Sequence, residues 1–125
     1  MGDIHEQSIA EVGECLRRGD IGVVELTRIM LDRIAAKDGE LNSFITVTDE
    51  LALAQAARAE QELRTGPDRG PLHGIPIALQ DLIETKDIRT TFASRAYADH
   101  IPGAHATVVK RLAEAGAVLL GKTNL

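Results

Sequence analysis

Aromatic side chains are almost missing from this sequence: two Phe, one Tyr and no Trp make up 2% of the residues. A core must therefore be assembled from Ala, Val, Leu and Ile. Small side chains bury little area each, so their elements have to pack closely. Cysteine occurs once, as Cys15. That excludes an internal disulfide and suits a reducing compartment. Within the helical pattern around Glu14-Cys15-Leu16, the thiol reads as a small buried group rather than a nucleophile. No stretch approaches the ~18 apolar residues of a membrane span. The beginning of the chain carries Asp3, Glu6, Glu11 and Glu14 and no apolar run, so no secretory leader is read there. Met1-Gly2 lacks the hydroxyl residue that N-myristoylation favours, because the sixth residue is Glu6. Clustered basic residues are missing too. The 14 Lys and Arg are interleaved with 19 Asp and Glu, giving a net charge of -5, which argues against phosphate-backbone binding. His5, His73, His100 and His105 are scattered, with no metal-ligand spacing. The expectation is a cytoplasmic protein with no cofactor, no bound metal, no direct nucleic-acid contact and no membrane association.

What is present in the 125 residues fits one compact domain. Ser8 followed by Glu11 forms a capping box, and Ile9, Val12 and Leu16 then fall on one helical face up to Gly19. A second helix is predicted from about Val23 to about Ala36, with Asp38-Gly39 stopping it. Phe44-Ile45-Thr46-Val47 is β-prone. A third helix, rich in Ala, runs from near Thr48 to about Arg64. Its packing face is made of Ala and needs a close neighbour.

Thr65-Gly66-Pro67-Asp68-Arg69-Gly70-Pro71 is the clearest break in the chain. Beyond it, Ile75-Pro76-Ile77-Ala78-Leu79 and Ala117-Val118-Leu119-Leu120 read as strands buried on both faces, with Pro76 at a strand start or an edge. A helix from about Thr107 to Ala115 lies between them, which makes a βαβ unit with parallel strands, adjacent or one place apart. Two such strands do not stand alone as a sheet. The sequence stops at Gly121-Lys122-Thr123-Asn124-Leu125 directly after a buried strand, which reads as a chain cut within a domain.

Several of these segments resemble the amidase signature family. Gly70-Pro71-Leu72-His73-Gly74-Ile75-Pro76-Ile77-Ala78-Leu79-Gln80-Asp81 is similar to the family block GPLHGIPIAVKD. Ala115-Gly116-Ala117-Val118-Leu119-Leu120-Gly121-Lys122-Thr123-Asn124-Leu125 resembles AGAVLLGKTNL. Thr90-Thr91, Ala93-Ser94, Ala106-Thr107-Val108-Val109 and Leu112 match the segment between them, and Glu25-Leu26-Thr27, Leu31-Asp32-Arg33-Ile34 and Leu41-Asn42-Ser43-Phe44 match earlier helices. The family includes amidases and the A subunit of the aspartyl/glutamyl-tRNA amidotransferase, which works with other subunits. The resemblance implies an α/β fold: amino-terminal helices followed by a βαβ unit, an incomplete piece of the mixed-sheet amidase-signature fold. Residues 1–125 are then the amino-terminal part of an amidase domain, with 1–65 a helical segment and 71–125 the start of the α/β core.

The resemblance also implies the chemistry. The family cleaves amide C–N bonds with a serine nucleophile, a bridging serine beside a cis peptide bond, and a lysine base whose amine is neutral enough to relay a proton. No Gly-Gly-Ser-Ser-Gly stretch occurs in these residues, and Ser8, Ser43 and Ser94 do not match the nucleophile motif. The family's lysine position is occupied by Gln80. A carboxamide holds hydrogen bonds but takes no proton at neutral pH. Gln80 is therefore either the site of a disabled base or an ordinary polar residue at a strand end. Lys86, in the following loop, offers no replacement. His73 reads as a packed loop histidine, and Asp81 as a group bonding backbone beside the active centre or capping the loop. The phosphate-loop reading of Lys122 fails because the upstream glycine spacing is missing.

Two functions follow. One is an amino-terminal fragment of an amide-hydrolysing enzyme, inactive on its own, that meets a small-molecule amide substrate only when completed by the rest of the domain. The other is a non-catalytic amidase-like module, a pseudoenzyme that pairs with itself as a homo-oligomer or with a partner subunit.

Overall fold

The computed structural model describes residues 3–125, so the Met1-Gly2 reading lies outside the described residues. A short 3-10 turn at Ile4–Glu6 leads into α1 (Ile9–Arg18). The hydroxyl of Ser8 accepts the Glu11 backbone N–H at 3.2 Å, and the Glu11 carboxylate accepts the Ser8 N–H at 2.8 Å. This reciprocal box satisfies two donors that a helix start leaves open. Val12, Cys15 and Leu16 form the buried face of α1.

α2 runs from Val23 to Leu41, past the Asp38-Gly39 pair at which the sequence suggests an end. The reason is local. A glycine inside a helix costs only about 1 kcal/mol, and the Asp38 carboxylate accepts the N–H groups of Ser43 and Phe44 at 2.7 and 3.0 Å. Asp38 thus stitches the helix exit to β1 (Phe44–Val47) instead of breaking the helix. Asn42, with φ of 51°, makes the turn between them.

α3 (Asp49–Thr65) buries Ala52, Ala56 and Ala59 against α2 and the sheet. The lack of side-chain bulk at these positions is what allows that close approach, as the Ala-rich pattern suggests. β2 (Pro76–Gln80), a loop over residues 81–106, α4 (Thr107–Glu114) and β3 (Val118–Thr123) complete the chain. The loop holds one 3-10 turn, Arg95–Tyr97. β2 and β3 are direct neighbours and parallel, and Pro76 is the first residue of its strand, where its missing N–H costs nothing.

The sheet has three strands rather than two. β1 pairs antiparallel with the other side of β3, giving the order β1-β3-β2. The mainly helical first part of the chain therefore donates an edge strand to the later α/β part, and the two share one sheet. At Gly121 the two strands approach so closely that a Cβ would run into the Thr46 carbonyl.

β3 is buried on both faces. Val118 and Leu120 pack with Leu16, Val23, Leu26, Leu31 and Ala52 of the helical layer. Leu119, with Leu79 of β2, packs with Val109 and Leu112 of α4 and with Ile83 and Ile88 of the loop. β3 contributes large aliphatic groups to both layers, which is why its run reads as an unbroken apolar stretch. The reading of Ile75–Leu79 as buried on both faces is corrected: Ile77 and Leu79 face the α4 layer, but Ala78 on the other face of β2 is exposed, because the helical layer does not extend over this edge strand.

Candidate functional site

The segment that carries the unusual residues lies at the ends of β2 and β3. Gln80 is the last residue of β2 and sits opposite Thr123 of β3. Its side chain is exposed, and its amide makes no hydrogen bond to any described residue. Its main-chain carbonyl accepts the Ile83 N–H at 3.0 Å, closing a turn.

Asp81 follows, fully buried. Its N–H donates to the Thr123 carbonyl at 2.9 Å and its own carbonyl accepts the Phe92 N–H at 2.9 Å. One carboxylate oxygen accepts both the backbone N–H of Thr91, at 3.0 Å, and the Thr91 hydroxyl. The other oxygen lies 3.5 Å from Nζ of Lys122. Asp81 therefore caps the returning loop, one of the two roles read for it from sequence.

Lys122 is also fully buried. Its ammonium donates to the Ile83 carbonyl at 2.9 Å and to Oγ1 of Thr90 at 2.8 Å, and faces Asp81. Two of the ammonium's donors are hydrogen-bonded, and Asp81 Oδ1, which accepts no hydrogen bond, completes the site as an ion-pair partner at 3.5 Å. Burial pushes the amine below its ordinary pKa, while the Asp81 carboxylate pulls it back up. Thr85, Thr90 and Thr91 are buried around the same loop.

A sheet irregularity sets the aim of Lys122. Leu119 points to the α4 layer, and strict alternation would send Lys122, three residues on, to the opposite layer. The register with β2 skips Leu120, so that Ile77 pairs with Leu119 but Ala78 pairs with Gly121 and Leu79 with Lys122. This bulge turns Lys122 onto the same face as Leu79. Gln80, one residue after Leu79, faces the other way. The buried amine and the exposed carboxamide are on opposite faces of the sheet, so Lys122 does not stand in for a base at position 80.

The other residues singled out in the sequence fall elsewhere. His73 is buried, and its Nδ1 accepts the Arg69 N–H at 3.0 Å, while Nε2 lies 3.4 Å from the Glu62 carboxylate. Gly116, at φ of 80°, packs on the ring where no Cβ fits. His73 is a packed loop histidine, as the sequence suggests. Cys15 is buried. Lys86 is exposed, and its N–H donates to Nδ1 of His105 at 2.9 Å. Ser8 caps α1, Ser43 donates its N–H to Asp38, and Ser94 caps the 3-10 turn through the Ala96 N–H. Among the described residues, only the surface group Asp3, His5 and Glu6 brings three potential metal-ligand side chains together. Sequence reasoning missed the Lys122–Asp81–Thr90 cluster. The available signal was a lysine placed directly after a strand with apolar residues on both faces.

A family model described as Amidase matches residues 25–125. The chain belongs to the amidase family. Among similar proteins is the A subunit of the Glutamyl-tRNA(Gln) amidotransferase of Natranaerobius thermophilus, 42% identical over 98% of this chain and 25% of its own length. The corresponding protein of Marinomonas sp. is 48% identical over 96% of this chain and 24% of its own. In structure, the native peptide amidase of Stenotrophomonas maltophilia is similar with a TM-score of 0.90 and 40% identity, across 96% of this chain and 25% of that one. The amidase-family chain thus spans about a quarter of the length of the relatives it matches. Its fold is that of the corresponding quarter of amidase-signature enzymes. No described helix is long and apolar enough to cross a membrane.

Proposed function

We propose that this chain is the amino-terminal portion of an amidase-type hydrolase acting on amide C–N bonds, and that it does not hydrolyse amides on its own. The observation that carries the reading is Gln80. The surrounding block from Gly70 to Asp81 follows the family pattern, and the position of the expected base holds a carboxamide. A conjugated amide has no basic lone pair for the proton of a serine hydroxyl. The side chain is exposed at a strand end and makes no hydrogen bond to a described residue, which fits a position that faces the remainder of an active centre. Lys122 supplies no replacement, because it is buried against Asp81, Ile83 and Thr90 and faces the opposite layer.

In this reading the chain's contribution is structural. It supplies β2 and β3, and the Asp81–Lys122 cluster fixes the loop that follows position 80. Substrate, in the form of a small amide, meets this surface only once the remainder of the active centre is present. A cytoplasmic location and a paired state, with itself or with a partner subunit, belong to the same proposal. The assay is hydrolysis of a panel of primary amides and anilides by the purified chain. The expected result is no turnover above buffer. Turnover that survives repurification and follows the protein peak overturns the reading.

A further inference from the structure

The loop between β2 and α4 holds a turn that its residues do not favour. Ser94 donates its N–H to the Thr91 carbonyl at 2.9 Å, which closes the turn. Both central residues are left-handed, Phe92 at φ of 54° and Ala93 at φ of 55°. Turns of this kind are normally made by Gly, Asn or Asp, and a bulky side chain there is strained. Hydrogen bonds hold the strain in place. Asp81 accepts the Thr91 N–H at 3.0 Å on its carboxylate and the Phe92 N–H at 2.9 Å on its carbonyl. The Thr91 hydroxyl accepts the Ala93 N–H at 3.3 Å. Every N–H from Thr91 to Ser94 is therefore bonded, and the bonds from Thr91 and Phe92 end on the residue next to Gln80.

This strained backbone displays a group of rings. Phe92 and Tyr97 pack with ring centroids 5.2 Å apart, and both lie against His100, at 5.9 and 5.8 Å. The chain has two Phe and one Tyr, so one loop gathers all but Phe44. The rings do not serve the core, since neither apolar cluster includes them. Tyr97 is 50% exposed. Backbone strain that core packing does not repay points to a residue kept for what it contacts. Long loops carried by a rigid sheet are where such contacts lie.

We infer that Phe92 and Tyr97, braced by His100, form the surface that receives an aromatic group of the amide substrate beside position 80. This rests on the preceding reading that position 80 marks the active centre of an amidase-type enzyme. The ligand class follows from the rings. They suit a flat ring in stacked or edge-on contact, and a saturated ring of similar size lacks that electrostatic fit.

The test uses the whole chain, isotopically labelled for NMR. It is titrated with benzamide, phenylacetamide and phenylpropanamide, and with cyclohexanecarboxamide as the saturated match. The expected result is that the phenyl amides shift the backbone amides of Phe92, Tyr97 and His100, and that the saturated amide binds about five-fold more weakly. With at least one spacer length the Gln80 side-chain amide shifts as well. Tyr97→Leu, at a half-exposed position, keeps the fold and should remove the preference for phenyl amides. Phe92→Gly suits a left-handed turn and should remove it too. Absence of binding at the solubility limit of benzamide, equal binding of phenyl and saturated amides, a preference untouched by both variants, or a preference that reaches Gln80 with no spacer overturns the inference. The hydrolysis panel on the purified chain is read separately. Turnover there sinks the functional reading, whereas failure of the ring preference sinks only this surface.

Discussion

Lys122 is the residue whose placement says most about what this chain does and does not do. A buried ammonium is tolerated because Ile83 and Thr90 accept hydrogen bonds from it and the buried Asp81 carboxylate pairs with its charge at 3.5 Å. Removing it leaves Asp81 buried without its cation, a loss that costs about 3–5 kcal/mol. Lys122→Met is therefore expected to be strongly destabilising in urea unfolding, while Lys86→Met, at an exposed position, stays within about 0.5 kcal/mol of the parent. Equal stability of the two variants contradicts the described cluster. The amine also gives a pH signature. Burial holds its folded-state pKa below the ordinary 10.5, so the unfolded chain binds that proton more tightly. Unfolding takes up a proton between the two values, and stability should rise as pH climbs through that window towards 10.5. Lys122→Met should remove this rise, measured as urea midpoints at a series of alkaline pH values. The sequence could not show the cluster. Its members are scattered across the later part of the chain, and the aim of Lys122 depends on a bulge at Leu120 that no local pattern announces.

At the scale of elements, the segment between α3 and β2 is held by two arginine–carboxylate pairs. Arg17 makes a bidentate contact with Asp68 at 2.6 and 2.9 Å, and Arg69 grips Glu62 at 2.6 and 3.0 Å. The Arg17 guanidinium, with the Gly70 N–H, holds the Asp68 carboxyl well below the usual carboxylate range. A lowered folded-state pKa contributes stability that is complete above the ordinary value of 3.8 and is lost as pH falls through the folded value. Asp68→Asn is accordingly expected to lower the melting temperature at neutral pH and to flatten its decline below about pH 4. An unchanged acid limb would show that Asp68 carries none of it. A second test concerns the helix start. Ser8→Ala removes one side of the capping box and should cost about 1 kcal/mol in urea unfolding, and no loss of stability would contradict the cap. The helices, the βαβ unit and this cap were legible because each depends on spacing or on residues three positions apart. The end of α2 was not, since Asp38 acts on Ser43 and Phe44 across a turn rather than on its own helix. The third strand was legible only as a β-prone run. Its pairing with β3 joins Phe44 to Thr123, a contact between distant parts of the sequence.

For the whole molecule, α1, α2 and α3 cover one face of the sheet at β3 but leave Ala78 and Gln80 of β2 exposed, and the other face is half open. The aliphatic core carries no Trp, and its two Phe and one Tyr add little burial. Made alone, the chain is expected to melt at modest temperature and to bind the dye ANS on the half-open face beside α4. A sharp, high-temperature transition of a monodisperse monomer without dye binding would instead describe a self-sufficient module. Family membership is legible in the sequence itself, from linked motifs between Glu25 and Leu125. The orientation of Gln80, exposed and free of hydrogen bonds to described residues, was not, because it depends on where the strand ends.

If this chain is an amidase quarter disabled at position 80, a chimera shows it most directly. The peptide amidase of Stenotrophomonas maltophilia, with its matching quarter replaced by this chain, is made as it stands and with Gln80→Lys, and both are assayed for amide turnover. The expected result is a folded but inactive chimera with Gln80, and activity recovered by about 100-fold or more with Gln80→Lys, the usual contribution of a general base. Equal turnover by the two chimeras, or two folded chimeras that are both inactive, would contradict it.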